Sequence, residues 1–401
     1  MSSERADVVV VGGGPAGSAT ALFLAERGHH VIVLDRARFP RAKLCGEYLS
    51  PEAARILDRL GALKGVDEAG AVPLRGMKIV APNGTILIAD YPATGPWRGY
   101  REYALALPRF LFDQVLLERV KGSSVEVRER HRVTELLIDR GQVTGVSGVD
   151  GDGGSFELRA RLVVAADGRN SVVTRRLGAL RAHRLRRLAL LAHVEGVGGF
   201  ESRGEIYVDP PDYVILNPVA PGKVNLSLVV PLAHAIPHRG RLESFFFARL
   251  KQVDHVRSRL PGISLLGGVA ALGPLAYRVA RPTQGGVLLV GDAAGFYDPF
   301  TGEGLYTALR SAELAAEVAH AALARGECSA GTLAPYWEAR RAAFRGKERL
   351  TRLLQFVIAR RSLANAMARW LGSRPDLLAR VMGVIGDFVP PGALLSPRLW
   401  F

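Results

Sequence analysis

The chain has 401 residues, of which 48% are hydrophobic and 23% are charged, so it can form a folded protein with two or three structural units. Its formal charge of +15 would suit a nucleic acid, but the sequence has neither an aromatic-basic RNA motif nor zinc-finger spacing, which excludes sequence-specific binding of those kinds. It has no signal peptide, no apolar run of about 18 residues and no disulfide or metal-ligand pattern around Cys45 and Cys328. We therefore expect a cytoplasmic protein without a bound metal, a nucleic-acid partner or a transmembrane segment.

The first predicted element is a buried strand over 8–11 that ends in a glycine-rich GxGxxG turn and is followed by a helix over 18–26. Gly12 permits the tight turn, Gly14 lets the backbone approach a pyrophosphate, and Gly17 lets the helix pack close to the strand. The free N–H groups at the helix N-terminus would face the phosphates. The residues of this predicted phosphate-binding turn are Gly12, Gly14, Pro15, Ala16 and Gly17.

A second strand, 31–34, is followed by Asp35, eighteen residues after Gly17. A carboxylate at this distance is where the ribose hydroxyl of a dinucleotide finds an acceptor. Arg36 comes next, and its guanidinium lies either over an adenine ring or in solvent. Strand, turn, helix, strand and carboxylate together predict a dinucleotide-binding unit.

A β-hairpin is predicted at 77–88, where a strand-like alternation surrounds Asn83-Gly84. Because a hairpin does not continue the βαβ order, we expect a second sheet to begin here. Pro108-Arg109 then opens a helix. A cation in the first turn of a helix is unfavourable unless an anion lies nearby, so Arg109 predicts a contact with a phosphate.

A fully apolar strand at 161–165 ends close to Asp167-Gly168, which are residue types that bind ligands at the carboxyl ends of parallel strands. Four further strands between 193 and 230, separated by proline and glycine turns, predict a second antiparallel sheet that covers the cofactor. A helix is expected over 242–259.

The last predicted strand of the first sheet, 286–290, ends in Gly291-Asp292, and a long helix opens soon after it. The glycine-rich turn and this Gly-Asp pair would then face the same cleft. A nicotinamide dinucleotide would account only for the glycine-rich turn, whereas flavin adenine dinucleotide would account for both the turn and the Gly-Asp pair. Asp292 would accept from the ribityl hydroxyls, and the helix N-terminus near Gly302 would lie at the flavin N1/C2 carbonyl.

The sequence pattern from residue 332 onward predicts mostly helices. Residues 338–380 hold eleven basic and three acidic side chains, a net charge of +8. These helices predict either a cap packed on the core or a face that docks on an anionic membrane.

Four sequence blocks together resemble the FAD-dependent oxidoreductases with the aromatic-hydroxylase fold, a family that includes geranylgeranyl reductases, flavin halogenases and aromatic monooxygenases. The blocks are Gly12-x-Gly14-x-x-Gly17 with Asp35-Arg36, Phe39-Pro40-Arg41-x-Lys43-x-Cys45-Gly46, Asp167-Gly168, and Gly291–Gly295 with Pro299–Gly304.

The resemblance implies an α/β fold whose Rossmann-like FAD-binding domain, of the GR2 type, is discontinuous. We expect that domain at 1–75, 101–175 and 271–330. An inserted antiparallel-sheet substrate domain would occupy 76–100 and 176–270, and a C-terminal helical region 331–401.

The resemblance also implies further FAD contacts and places Cys45-Gly46 beside the isoalloxazine ring, where a thiol can give a proton to a substrate carbon. Glu47 is the second acid–base candidate. The family's substrate motif Tyr-x-Trp-x-Phe-Pro is present only as 213–218, which leaves Tyr213 and Asn217 as candidate substrate contacts. The additional FAD contacts are Lys43, Cys45, Arg109, the backbone of Val133, Pro299, Gly304 and Leu305.

These residues predict an FAD-dependent monooxygenase or oxidase that acts on a hydrophobic or aromatic secondary metabolite. One alternative is a geranylgeranyl-reductase-like enzyme that reduces a double bond of a prenyl or lipid substrate. The other is a non-catalytic, flavin-binding partner on a membrane. Because no second GxGxxG is present, electrons are expected from NAD(P)H or a partner reductase, and peripheral contact with the inner face of the membrane is possible.

Overall fold

The computed structural model describes residues 4–395. The strands of this range are β1 (Arg5–Val11), β2 (Val31–Leu34), β3 (Tyr48–Leu49), β4 (Val72–Leu74), β5 (Gly76–Val80), β6 (Ile86–Asp90), β7 (Ala104–Ala106), β8 (Glu126–Arg128), β9 (Arg132–Asp139), β10 (Gln142–Val149), β11 (Ser155–Ala165), β12 (Leu180–Ala182), β13 (Arg187–Glu195), β14 (Arg203–Asp209), β15 (Asp212–Ala220), β16 (Lys223–Pro231), β17 (Ser264–Leu265), β18 (Ala270–Leu272), β19 (Tyr277–Val279) and β20 (Val287–Leu289).

The α-helices of the same range are α1 (Pro15–Ala25), α2 (Ala53–Arg59), α3 (Leu63–Glu68), α4 (Arg109–Lys121), α5 (Val172–Arg176), α6 (Leu232–Ala235), α7 (Leu242–Gln252), α8 (Asp254–Arg257), α9 (Gly304–Ala324), α10 (Ala334–Ile358), α11 (Arg361–Gly372) and α12 (Pro375–Ile385). Short 3-10 helices lie at Gly168–Asn170, Ile236–His238, Gly291–Ala294, Pro299–Thr301 and Pro391–Leu395.

The first large sheet brings three of the predicted ligand-facing strand ends to one edge. It has seven strands in the order β8-β2-β1-β11-β10-β9, and β20 also pairs with β11. β1 is parallel to β2 and to β11, with Val11 opposite Ala165, and β20 is parallel to β11, with Leu289 opposite Ala165. Because parallel strands have their carboxyl ends at the same edge, the turns after β1, β11 and β20 face one cleft. This confirms the Rossmann-like arrangement.

Helix α1 crosses this sheet at very short range, as the sequence predicts. Gly12 has a φ of +106°, which glycine adopts without strain. A Cβ placed on Gly17 would lie 1.8 Å from the carbonyl oxygen of Gly12, so a side chain cannot be fitted there. Phe23 and Leu309, on α1 and α9, have no exposed surface in the core between the two helices and the sheet.

The second large sheet lies over the cleft, and we call it the roof sheet. It has eight strands in the order β17-β13-β16-β15-β14-β5-β6, and β18 also pairs with β13. The predicted hairpin around Asn83-Gly84 is present as β5 and β6, and β5 joins β14 in parallel with Gly76 opposite Arg203. The early hairpin and the later strands are therefore one sheet. One face of it packs on Phe246 and Leu250 of α7.

The C-terminal helical region is present as α10, α11 and α12. No helix within residues 4–395 is long and apolar enough to cross a membrane. The single helix predicted over 242–259 is wrong, because Val253 has an extended ψ of 100° and separates α7 from α8. The division into domains at the predicted boundaries stays a prediction.

Gly17→Ala should destabilise the fold, because its Cβ would overlap the Gly12 carbonyl, and overpacking of this kind costs about 1–3 kcal/mol. We expect a lower urea midpoint with an unchanged slope. Gly14→Ala is the matched control: within 4 Å its Cβ would meet only Nη2 of Arg41, at 3.3 Å, and it should unfold close to the wild type. Equal midpoints for the two variants would contradict the packing argument.

Candidate active site

A cavity of about 790 Å³ lies between the cleft of the first sheet and the roof sheet. Small-molecule and cofactor sites have volumes of about 300–1,000 Å³, so it is large enough for such a ligand. Its walls are the turns after β1, β11 and β20, the inner face of the roof sheet, and the segment 41–48 between β2 and β3.

Most residues predicted to contact a cofactor line this cavity. Gly17 and Gly291 do not line the cavity. Gly291 packs closely against α1, because a Cβ on Gly291 would lie 2.9 Å from the Cβ of Ala16. The lining residues of the predicted set are Gly12, Gly14, Pro15, Ala16, Asp35, Arg36, Lys43, Cys45, Arg109, Val133, Asp167, Gly168, Asp292, Pro299, Gly302, Gly304 and Leu305.

Asp35 holds the glycine-rich turn from the end of β2. Its Oδ2 accepts from the backbone N–H of Gly13 at 2.8 Å, and its Oδ1 accepts from that of Ala37 at 2.8 Å. A carboxylate has about four lone-pair sites, so it retains capacity for a hydroxyl from the cavity. Arg41, which also lines the cavity, lies 3.9 Å from the same Oδ2; it belongs to the family block but was not among the predicted cofactor contacts.

Lys43 and Asp292 bring opposite charges to the cavity walls. Burial lowers the pKa of Lys43 and raises the pKa of Asp292, and the charge of each opposes the shift of the other. Gly168 lies beside the ammonium group, because a Cβ there would be 3.5 Å from Nζ. The walls therefore offer a cation and an acceptor to the hydroxyl and anionic groups of one ligand.

Arg109 lines the cavity but already has an anionic partner. Its Nε and Nη2 donate to the two carboxylate oxygens of Asp113 at 2.7 and 2.8 Å, and both side chains are buried. The anion that its place in the first helical turn requires is thus Asp113, four residues on. The sequence analysis inferred a phosphate from the position of this cation in the first helical turn, and that inference is corrected, because a carboxylate of the same helix provides the anion. The spacing of such a pair on one helix face was the sequence signal that could have found it. A phosphate contact by Arg109 stays a prediction.

The other half of the cavity is an apolar chamber beneath the roof sheet. Because successive strand residues point to opposite faces, its ceiling comes from alternate positions of β13 to β16. The sequence pattern reveals two faces on each strand but not which of them meets a ligand. The apolar lining residues of the chamber are Met77, Ala189, Leu191, Ile206, Ile215, Val229, Leu272, Leu275, Phe296, Phe300 and Ile385.

Three polar side chains, which we call the polar row, cross the roof sheet beside this apolar ceiling. His193 lies opposite Asn225, and Asn225 lies opposite Asn217. Nδ2 of Asn225 donates to the carbonyl oxygen of Cys45 at 2.8 Å, and Nδ2 of Asn217 donates to that of Gly46 at 2.8 Å. The polar row therefore fastens the backbone of segment 41–48 to the roof sheet.

Glu47 connects that segment to two other elements. The residue is only 2% exposed, and its Oε2 accepts from Nε2 of His193 at 2.6 Å and from Nδ2 of Asn225 at 3.0 Å. Its Oε1 accepts from the backbone N–H of Arg109 at 2.8 Å and so satisfies a free donor at the start of α4. The acid–base candidate of the sequence is therefore a carboxylate held by three protein donors.

Tyr213 lies behind the wall of the cavity. Its side chain is fully buried and does not line the cavity, and its hydroxyl donates to Oδ1 of Asp298 at 2.7 Å. Its ring packs edge-to-face on Phe300, with centroids 5.2 Å apart. Tyr213 therefore supports the wall from behind, and a substrate contact by this residue stays a prediction. Asn217 does line the cavity.

Comparison with known proteins shows the family to which this chain belongs. The family model described as the FAD binding domain matches residues 5–351. Digeranylgeranylglycerophospholipid reductase 2 of Methanopyrus kandleri is 33% identical over 348 residues, which cover 83% of this chain and 82% of that protein. The chain belongs to the FAD binding domain family. It is an FAD-dependent oxidoreductase related to the geranylgeranyl reductases.

Other relatives agree with this assignment. Digeranylgeranylglycerophospholipid reductase 1 of Methanococcoides burtonii is 30% identical over 349 residues, which cover 85% of this chain and 81% of that protein. The myxobacterial chondrochloren halogenase has a TM-score of 0.83 at 23% identity, covering 98% of this chain and 97% of that one. The geranylgeranyl bacteriochlorophyll reductase-like protein of Thermoplasma acidophilum has a TM-score of 0.79 at 23% identity, covering 99% and 98%. These two structures confirm the predicted fold.

The residues of the cleft fit FAD. The bare backbone of Gly14 faces Arg41, and that of Gly168 faces Lys43, so an anionic pyrophosphate would lie against both glycine backbone and positive charge. Asp35 and Asp292 offer carboxylate oxygens for the ribose and ribityl hydroxyls. Bound FAD supplies a two-electron carrier, and the chain supplies its orientation and its electrostatic surroundings.

The ion pair between His193 and Glu47 should make stability depend on pH. The hydrogen bond with Glu47 raises the pKa of His193 above its usual value, although burial opposes the shift. Its contribution is therefore complete below about pH 6.5, the unfolded value, and is lost as the pH rises through the higher folded value. We expect His193→Gln to flatten the decline of the urea midpoint above about pH 6.5. A decline as steep as that of the wild type would contradict the pairing, and Glu47→Gln should give the same flattening.

Proposed function

We propose that this FAD-dependent oxidoreductase reduces carbon–carbon double bonds in an apolar, prenyl-type chain. The observation that supports the proposal is that one cavity is lined by the residues that fit FAD, by Cys45 and by the apolar chamber. A chamber lined mainly by aliphatic side chains favours a hydrocarbon chain by the hydrophobic effect alone. This choice reverses the order of the sequence-based expectations, which preferred a monooxygenase.

The relatives favour the same choice. Both digeranylgeranylglycerophospholipid reductases are at least 30% identical to this chain over most of its length. The halogenase is 23% identical, so its likeness concerns the fold and not the reaction. A lipid-linked or free prenyl chain is therefore the substrate class that we propose.

Cys45 would act as the proton donor. Its sulfur lies 3.3 Å from the backbone N of Glu47, and Cys45 lines the cavity. Saturation of a double bond adds a hydride to one carbon and a proton to the other. The thiol proton would go to the second carbon, and the thiolate would regain a proton from water. NAD(P)H or a partner reductase is the proposed source of the electrons.

A monooxygenase is the second candidate, because Asn217 and Ser227 add polar groups to the otherwise apolar chamber. Such groups would orient a hydroxylated or aromatic substrate. The two candidates differ in their need for oxygen, which makes them separable in a single experiment.

The test is a turnover of chemically reduced, FAD-loaded protein with geranylgeraniol in the absence of oxygen. We expect product that has gained hydrogen and no oxygen by mass spectrometry. Cys45→Ser should lower the rate by about 10²–10⁴-fold, the usual contribution of a positioned proton donor, with the FAD content unchanged. Cys328→Ser is the matched control, because Cys328 is buried in the core and does not line the cavity.

Two results would contradict the reductase. One is product that contains an added oxygen atom and forms only when oxygen is present. The other is no turnover of any prenyl alcohol or lipid although FAD is fully bound, which would favour the non-catalytic partner.

We also propose that α10 and α11 make peripheral contact with an anionic membrane. Leu353 and Phe356 are each 53% exposed on α10, and Leu363 is 37% exposed on α11. The guanidinium of Arg360 lies 3.8 Å from the centre of the Phe356 ring. Exposed apolar side chains beside arginines suit the interface of an anionic bilayer.

Leu353→Asp with Phe356→Asp should weaken binding to vesicles that contain phosphatidylglycerol, because the change removes apolar contacts and adds negative charge. Each basic residue near such a surface contributes about 1 kcal/mol, so the wild type should co-sediment at low salt and be released by high salt. Ile138→Asp, at another exposed apolar position, is the control. Equal binding of all three proteins, or none by the wild type, would exclude this contact.

A further inference from the structure

We propose that Glu47 is a positioning residue, which together with the polar row fixes the thiol of Cys45 in the cavity wall between the roof sheet and α4. The inference rests on the proposed function in one respect, since that function makes Cys45 the reacting thiol. It assigns Glu47 a role that differs from the acid–base role expected from the sequence.

The first support is the set of elements that one carboxylate connects. Oε1 of Glu47 binds the N–H of Arg109, at the start of α4, and Oε2 binds two side chains of the roof sheet, His193 and Asn225. The backbone N of Glu47 lies 3.3 Å from the Cys45 sulfur. The same residue therefore contacts the thiol and locates the helix from which Arg109 projects.

The second support is that the roof sheet also binds the neighbouring backbone directly. Asn225 binds both the carbonyl of Cys45 and Oε2 of Glu47, and its own Oδ1 accepts from the hydroxyl of Ser227 at 2.8 Å. Asn217 binds the carbonyl of Gly46. Each residue from Cys45 to Glu47 is thus tied to the roof sheet by at least one hydrogen bond.

The third support is the backbone conformation of Glu47. Its φ is +59°, in the left-handed region that non-glycine residues rarely adopt. A residue remains in this region only where its surroundings over-determine it, and such residues concentrate at functional sites. Here the three donors to the carboxylate provide that constraint.

These contacts make the reach of the Glu47 side chain the property that positions Cys45. All three donors are protein groups, and between them they engage both carboxylate oxygens of Glu47, which also lines the cavity. Glu47→Asp keeps the charge but cannot reach α4 and the roof sheet together. Glu47→Gln loses the charge but keeps the length and one acceptor for the N–H of Arg109.

The test compares these two variants in FAD-loaded protein with a Cys328→Ser background, so that Cys45 is the only thiol. The first measurement is the rate constant for alkylation of Cys45 by iodoacetamide. We expect Glu47→Asp to change it several-fold and Glu47→Gln to change it less. The second measurement is turnover of the prenyl substrate against pH. A displaced reacting group can cost about 100-fold, so Glu47→Asp should lower kcat more than Glu47→Gln, with neither variant losing a limb of the pH profile.

Glu205→Asp is the matched control. Glu205 is a buried carboxylate on β14 that pairs with Arg259 and does not line the cavity, so its shortening should leave alkylation of Cys45 unchanged. The proposal is overturned if Glu47→Gln is the more damaging variant, if it removes a limb of the pH profile, or if no Glu47 variant alters alkylation. Because alkylation needs no substrate, a failure of the proposed function leaves this test intact.

Discussion

The parallel register of β1, β11 and β20 is the constraint on which the rest of this molecule depends. It places the ends of three strands at one edge, and each end contributes a ligand-facing turn to the same cleft. The glycine-rich turn, Asp167-Gly168 and Gly291-Asp292 lie far apart in sequence and meet only because of this register. Bare glycine backbone and opposite charges then give the cleft its preference for a dinucleotide.

A second sheet closes that cleft into a cavity. The roof sheet provides an aliphatic ceiling and attaches the segment 41–48 through amide and carboxylate groups. An apolar substrate and the flavin would therefore meet at a segment whose backbone is held from above. In the proposed function, burial of apolar surface would select the substrate, and directional hydrogen bonds would hold Cys45.

Features that depend on local pattern could be predicted from the sequence. The close packing at Gly17 could be predicted, because a strand, a tight turn and a helix that follow one another leave no room for a side chain. The hairpin at Asn83-Gly84 could be predicted, because the Asn-Gly pair that forms its turn is a local sequence signal. The break between α7 and α8 at Val253 was missed, because the apolar residues on both sides of it keep the spacing of one continuous helix.

Features that depend on distant contacts could not be predicted in this way. Glu47 meets His193 and Asn225 across 146 and 178 positions, and no spacing rule connects them. Tyr213 matched a family motif, yet packing against Phe300 keeps it out of the cavity. The identity of its partner, Asp298, emerges only when the loop before α9 folds against the roof sheet.

The most direct test of this account is a crystal structure of the FAD-loaded protein with a saturated prenyl alcohol, the product of the proposed reaction. The account predicts an extended chain beneath the roof sheet, with one of its carbons in contact with the Cys45 sulfur at about 4 Å. A chain bound outside the chamber, or a chain in the chamber with Cys45 turned away from it, would contradict the central claim.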